Sequence, residues 1–144
     1  MGNNLSDYNR DGSSIVAQKN LYRDLPLAFT IHPNTSDLTA LTDIDAVKQS
    51  VKNLVLTNFY ERPFEPNMGS NVTSLLFEPA DGFTSMAMKS EIDRVLSEHE
   101  PRINGILVHV DDESERNAYH ITIEFNVVFS SQRQETNFYL ERTR

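Results

Sequence analysis

Between residues 119 and 129, Tyr119, Ile121, Ile123, Phe125, Val127 and Phe129 occupy every second position of an eleven-residue run. Side chains on a strand point alternately to opposite faces, so this run carries one apolar face and one mostly polar face. A helix would scatter the same residues around its axis, because its period is 3.6. The run is therefore a half-buried strand, and its apolar face needs a covering layer. Just upstream, Ile106, Val108 and Val110 alternate with Leu107 and His109, and the acidic segment 111–117 reads as the hairpin loop between the two strands.

The cover is legible earlier in the chain. Ile44, Val47, Val51, Leu54 and Val55 recur at helical spacing with Lys48, Gln49 and Lys52 on another face, which predicts a helix over 43–58. Thr42 is placed to cap it, and Asp43 and Asp45 fall in the first turn, where the helix dipole favours acids. A short helix is expected over 71–77, stopped by Pro79. A longer one follows Thr84 as its cap, burying Met88, Ile92, Val95, Leu96 and His99 and turning Glu91, Asp93 and Glu98 outward. Phe83 and Met88 stand at the two positions of a hydrophobic staple. Pro101 ends this helix with Glu100 already extended. Leu27, Phe29 and Ile31 predict a short strand before His32-Pro33, and a last strand is expected over 136–140 with Phe138 and Leu140 inward. The expected fold class is α+β, a small, largely antiparallel sheet with two main helices packed on one face.

The length of 144 residues suits one domain, placed at 21–144, after a polar, turn-rich arm at 1–20 in which Ile15-Val16 is the one apolar pair. Cysteine is absent, which removes disulfides and thiolate metal sites from consideration. No run approaches the ~20 apolar residues of a membrane span, so no membrane partner is expected. The net charge is −8. Residues 105–130 set Asp111, Asp112, Glu113, Glu115 and Glu124 against Arg116 alone. Phosphate backbones attract the opposite sign, so nucleic acid is not an expected partner either.

Patterns for catalysis are weak. Glycoside hydrolysis needs two facing carboxyls, about 5 Å apart for retention or ~6.5–9.5 Å for inversion. Glu65, Glu78 and Glu100 each precede a proline, but no spacing selects a pair from them. His32, His99, His109 and His120 form no HxxxH or HExxH pattern, and although His109 and His120 could meet across the hairpin, no further ligands complete a metal site. Neither GxSxG, GxxxxGK[ST] nor GxGxxG occurs. No catalytic residue, metal or cofactor is assigned.

Rigid turns are the stronger signal. Arg62, Pro63, Phe64, Glu65, Pro66 and Gly69 form a structural turn in which prolines forbid regular structure and Gly69 is expected to supply a left-handed bend. Glu100, Pro101 and Arg102 make a second one. Arg62 and Arg102 each stand beside acids and could pair bidentately with them, as an internal clamp or as an anchor for a partner. Arg133, Arg142 and Arg144 leave the last strand with two readings: an edge protected by charge, or an edge that accepts a neighbour's strand.

Residues 21–130 resemble the baseplate wedge family that starts the contractile sheath in myophages, with related subunits in type VI secretion and phage-derived tail particles. The resemblance is carried by Leu21-Tyr22-Arg23-Asp24-Leu25, by Arg62-Pro63-Phe64-Glu65-Pro66 with Gly69, by Leu75-Leu76-Phe77-Glu78, by Glu100-Pro101-Arg102-Ile103, and by the strand pair at 104–129. It implies structural work in the virion tail baseplate, in six copies set by the symmetry of the assembly. It also implies that Glu100, Pro101 and Arg102 pack against the helical core bundle of the wedge, and that the sheath subunit joins by strand addition at 119–129 and 136–140, with Phe138, Tyr139 and Leu140 at the exchange. Tube or hub proteins are further partners under this resemblance. The family has also been labelled lysozyme-like, which keeps a peptidoglycan-cleaving enzyme using Glu65, Glu78 or Glu100 as the alternative.

Overall fold

A computed structural model describes residues 22–142 except 27, 32, 35, 37 and 131. The expected arm at 1–20 lies outside the described residues. The elements are β1 (Arg23–Asp24), β2 (Leu41–Thr42), α1 (Asp43–Leu56), α2 (Val72–Leu75), α3 (Gly82–His99), β3 (Ile103–Glu113), β4 (Ala118–Val127) and β5 (Arg133–Glu141). β3, β4 and β5 form an antiparallel sheet in that order, and β1 pairs with β2 in a small antiparallel ribbon. The expected α+β class is what the chain adopts.

The alternating run of β4 works as its pattern dictates. Tyr119, Ile121, Ile123, Phe125 and Val127 are buried, and the register sets Val108 opposite Ile123, Val110 opposite Ile121 and Phe138 opposite Ile121 on the other side. α1 and α3 cover that face with Val47, Val51, Leu54, Val55, Ile92, Val95 and Leu96. A satellite cluster of Leu76, Met88 and Tyr119 closes the end nearest α2. Each buried aliphatic or aromatic side chain contributes about 1.5–3 kcal/mol.

Several expectations change in detail. The strand at 27–31 does not form over its described part: Phe29 sits at φ 46° in a turn closed by its N–H on the Pro26 carbonyl, and Ile31 makes a single bridge to Leu38. Thr42 offers α1 no side-chain cap. Asp43, at φ 49°, ties the helix start to Tyr22, donating its N–H to the Tyr22 carbonyl and accepting the Tyr22 N–H on its carboxylate. α1 stops at Leu56 rather than 58, and the helix expected at 71–77 shrinks to four residues.

α3 is capped by Asp81, whose carboxylate accepts the Thr84 N–H at 2.8 Å, while the Thr84 hydroxyl donates to the Pro79 carbonyl. Phe83 is 84% exposed, so no hydrophobic staple forms. The hairpin is longer than its acidic composition suggested: β3 continues to Glu113, and the tip is confined to 114–117, a 3-10 turn at Ser114–Arg116 followed by Asn117 at φ 53°. β5 likewise extends over nine residues.

Candidate functional site

Three surface features grow out of this frame. The first is the turn after α3. The helix ends because Pro101 cannot continue it, and Glu100 leaves helical geometry at φ −123°, ψ 78°. The Glu100 side chain folds inward and is 3% exposed. Arg102 grips it bidentately, Nε to Oε1 at 2.6 Å and Nη2 to Oε2 at 2.5 Å, and Ser50 of α1 donates its hydroxyl to Oε2 at 2.7 Å. Burial is the strongest single influence on this carboxyl and opposes its charge. The bonds from Arg102 and Ser50 together outweigh it, so the group titrates below its ordinary range. The Arg102 guanidinium in turn lies 5.2 Å from the Tyr22 ring centroid, and Tyr22 packs on Phe129 at 5.3 Å.

The internal-clamp reading of Glu100 and Arg102 is thus the local geometry. Four pieces of the chain, namely α1, the end of α3, the start of β3 and the segment at Tyr22, meet at one ion pair. Pro101 stays exposed and the Arg102 side chain is partly so, and these present the turn outward.

The second feature is the loop 58–70. Its ends meet: Ser70 donates its N–H to the Thr57 carbonyl at 2.8 Å and its hydroxyl to the Val55 carbonyl at 2.6 Å, and Asn58 bridges Ser70. Inside the loop the N–H groups of Tyr60, Glu65 and Met68 bond to the carbonyls of Pro66, Arg62 and Glu65. Gly69 does not supply the expected left-handed bend. A side chain there would place its Cβ 2.7 Å from the Asn58 carbonyl carbon and 2.8 Å from the Phe59 nitrogen, so glycine is required by close backbone approach.

α3 holds both ends of the loop. Arg94 lies 5.7 Å from the Phe59 ring centroid, and Glu91, bonded to Arg94, accepts the Asn71 N–H at 2.9 Å. Sequence reasoning had turned Glu91 to solvent and passed over Arg94. The three-residue Glu–Arg spacing on one helix was the available signal. Arg62 pairs loosely with Glu65 at 4.0 Å.

The third feature is the β5 edge. Its nine residues pair with β4 in unbroken register from Ala118–Glu141 to Asn126–Arg133, and among the described residues it pairs with no other strand. Phe138 faces the core, Leu140 is half-buried beside it, and Tyr139 stands on the outer face stacked 4.6 Å from His120. Two of the arginines expected to guard the edge are turned back onto the sheet. Arg133 donates to Glu124 at 2.6 Å, and the Arg142 guanidinium lies 5.6 Å from the Tyr119 ring centroid. Arg144 lies outside the described residues. The opposite edge, β3, differs: its register with β4 breaks between Asn104 and Leu107, where Gly105 has φ 59°, and α3 packs against it.

The histidines do not converge. His109 faces Thr122 and lies 4.0 Å from Glu124, His120 faces Asp111, and His99 sits 3.9 Å from Glu98; His32 lies outside the described residues.

Residues 42–132 match the sequence profile of a family described as baseplate wedge protein gp25. The baseplate wedge protein gp25 of Enterobacteria phage T4 is 25% identical over 108 residues, which span 75% of this chain and 81% of that protein. Among solved structures, a putative tail lysozyme from Geobacter sulfurreducens superimposes with a TM-score of 0.62 at 22% identity, over 68% of this chain and 89% of that one. A chain of the anti-feeding prophage baseplate does so with a TM-score of 0.53 at 16% identity, over 85% and 87%. At these identities the two structures bear on the fold alone.

Proposed function

The chain belongs to the baseplate wedge protein gp25 family, and on that premise we propose that it is a non-enzymatic subunit of a contractile-tail baseplate which seeds the sheath by strand addition at β5. The observation that carries the proposal is the β5 edge: nine residues in regular register, without glycine or proline, with Arg133 and Arg142 engaged elsewhere. Such an edge is a hazard in a free protein and an asset in one built to accept a strand. Backbone N–H and C=O groups on alternate residues would bond the incoming strand, and Phe138, Tyr139 and Leu140 set the faces it meets. A preformed edge spares the first sheath ring the loss of ordering two partners at once.

In the same reading the rigid turn at Glu100, Pro101 and Arg102 sits against the helical core bundle of the wedge. Pro101 and the outer side of Arg102 supply the contact, and Glu100 fixes the arginine from within. The arm at 1–20 precedes a single domain at 21–144, and six copies follow from the symmetry of the assembly. Tube or hub proteins are secondary neighbours.

The peptidoglycan-cleaving alternative is disfavoured at Glu100. A general acid needs a carboxyl held protonated near neutral pH, whereas Glu100 is pushed the other way and closed inside an ion pair. Glu65 and Glu78 are exposed.

Seeding is the test. Purified cognate sheath subunit is followed by light scattering with and without a substoichiometric amount of this protein. A shortened lag that scales with added protein is expected, and an unchanged lag with folded protein would count against sheath initiation.

A further inference from the structure

Phe64 is 97% exposed and Tyr60 is 80% exposed, both on the loop 58–70. Neither exposure comes from a slack chain. The loop is closed at its base by Ser70, cross-linked by its own backbone bonds, and held at both ends by Glu91 and Arg94 of α3. Pro63 and Pro66 bracket Phe64 and restrict the residues before them. Tyr60 is kept at φ 67°, a left-handed conformation that is costly for a bulky residue and persists where surrounding structure imposes it. A fixed, protruding phenylalanine on such a loop loses little freedom when it is buried by another molecule.

The polar partners of the charges around it lie within the loop. Glu61 accepts the Asn58 N–H at 2.9 Å and the Asn58 side-chain amide at 2.7 Å, and Arg62 pairs with Glu65. The tip therefore offers an apolar knob in a collar of two acids, Glu61 and Glu65, against Arg62, on a protein of net charge −8. The apolar knob matches an apolar recess in a protein, and the net acidic collar opposes anionic lipid and nucleic acid. Two aromatic side chains bury roughly 150–250 Å² each, far short of the ~1,200–2,000 Å² of a stable interface. The knob is thus suited to be one anchor within a larger contact and not the basis of a dimer of this chain.

We infer that Phe64, flanked by Tyr60, is an anchor that inserts into an apolar recess of a different protein subunit in the baseplate, at a contact separate from the turn at Glu100–Arg102 and from the β5 edge. The inference rests on the baseplate reading given above.

The test is made in assembled particles. Phe64 is replaced by photoreactive benzoyl-phenylalanine, particles are purified and irradiated, and cross-linked residues are mapped by mass spectrometry. In parallel Phe64→Ser is scored for incorporation into particles, and its melting is compared with wild type. The expected result is cross-links to apolar residues of one other subunit, a tenfold or greater loss of incorporation for Phe64→Ser, and unchanged melting.

Wild-type protein missing from purified particles would defeat the baseplate reading and this inference together. Wild-type protein present, with position 64 uncross-linked and Phe64→Ser incorporated normally, would overturn this inference alone. So would cross-links confined to a second copy of this chain, or Phe64-dependent binding to vesicles of equal parts phosphatidylethanolamine and phosphatidylglycerol.

Discussion

Glu100 shows how one residue can do structural work that its position beside a proline only hints at. Its carboxylate ties α1, α3 and Arg102 together, and its folded pKa lies below the ordinary 4.5. A depressed carboxylate adds stability that is present above its unfolded value and is lost as pH falls through the folded one. Wild-type stability should therefore decline below about pH 4.5. Glu100→Gln should flatten that decline and lower stability at pH 7, as read from urea unfolding across the acid range. Arg102→Ala leaves the buried carboxylate without its charged partner and should cost roughly 2–4 kcal/mol, the lower side of a buried pair because the guanidinium is partly in water.

Gly69 is the second residue whose identity is dictated by contact. Its missing side chain lets the 58–70 loop close on the Asn58 backbone, and Gly69→Ala should cost about 2 kcal/mol in the same unfolding experiment. Tyr119 makes the opposite case. Burial raises the pKa of its hydroxyl, which finds no hydrogen-bond partner among the described residues, so Tyr119→Phe should change stability by less than about 0.5 kcal/mol or raise it.

At the scale of elements, what the chain announced and what it concealed differ by where the determinant lies. β4 was legible because burial on one face writes itself into a period of two, and α1 and the body of α3 because the same burial writes a period near 3.6. The start of α3 was misplaced because Asp81 and Thr84 are both good caps, and the Thr84 hydroxyl is drawn instead to Pro79. The first residues of β5 and the last of β3 are polar strand held by pairing with β4, which leaves no apolar signal to read. The closure of the 58–70 loop on α3 is a tertiary contact and had only its prolines and Gly69 as traces. The site residues of both turns were visible as motifs, while the inward fold of Glu100 was one of two readings that spacing left open.

The β5 edge carries its own prediction. Proline at Thr136 or at Asn137 removes one backbone donor, and neighbouring residues of a strand aim their donors in opposite directions. One substitution should break the ladder with β4 and destabilise the domain, whereas the other should leave melting nearly unchanged and abolish sheath seeding.

For the whole molecule, the described residues make a frame that carries three features: a clamped turn at the end of α3, a protruding loop, and a sheet edge at β5 that pairs with no further strand among the described residues. The central claim is that the sheath subunit adds its strand at β5, and amide hydrogen exchange resolved by residue tests it most directly, with this protein alone and with cognate sheath subunit added. The account predicts new protection on alternate amides within Arg133–Glu141 and unchanged exchange along β3. Protection confined to β3, or none along β5 while sheath subunit is bound, would contradict it.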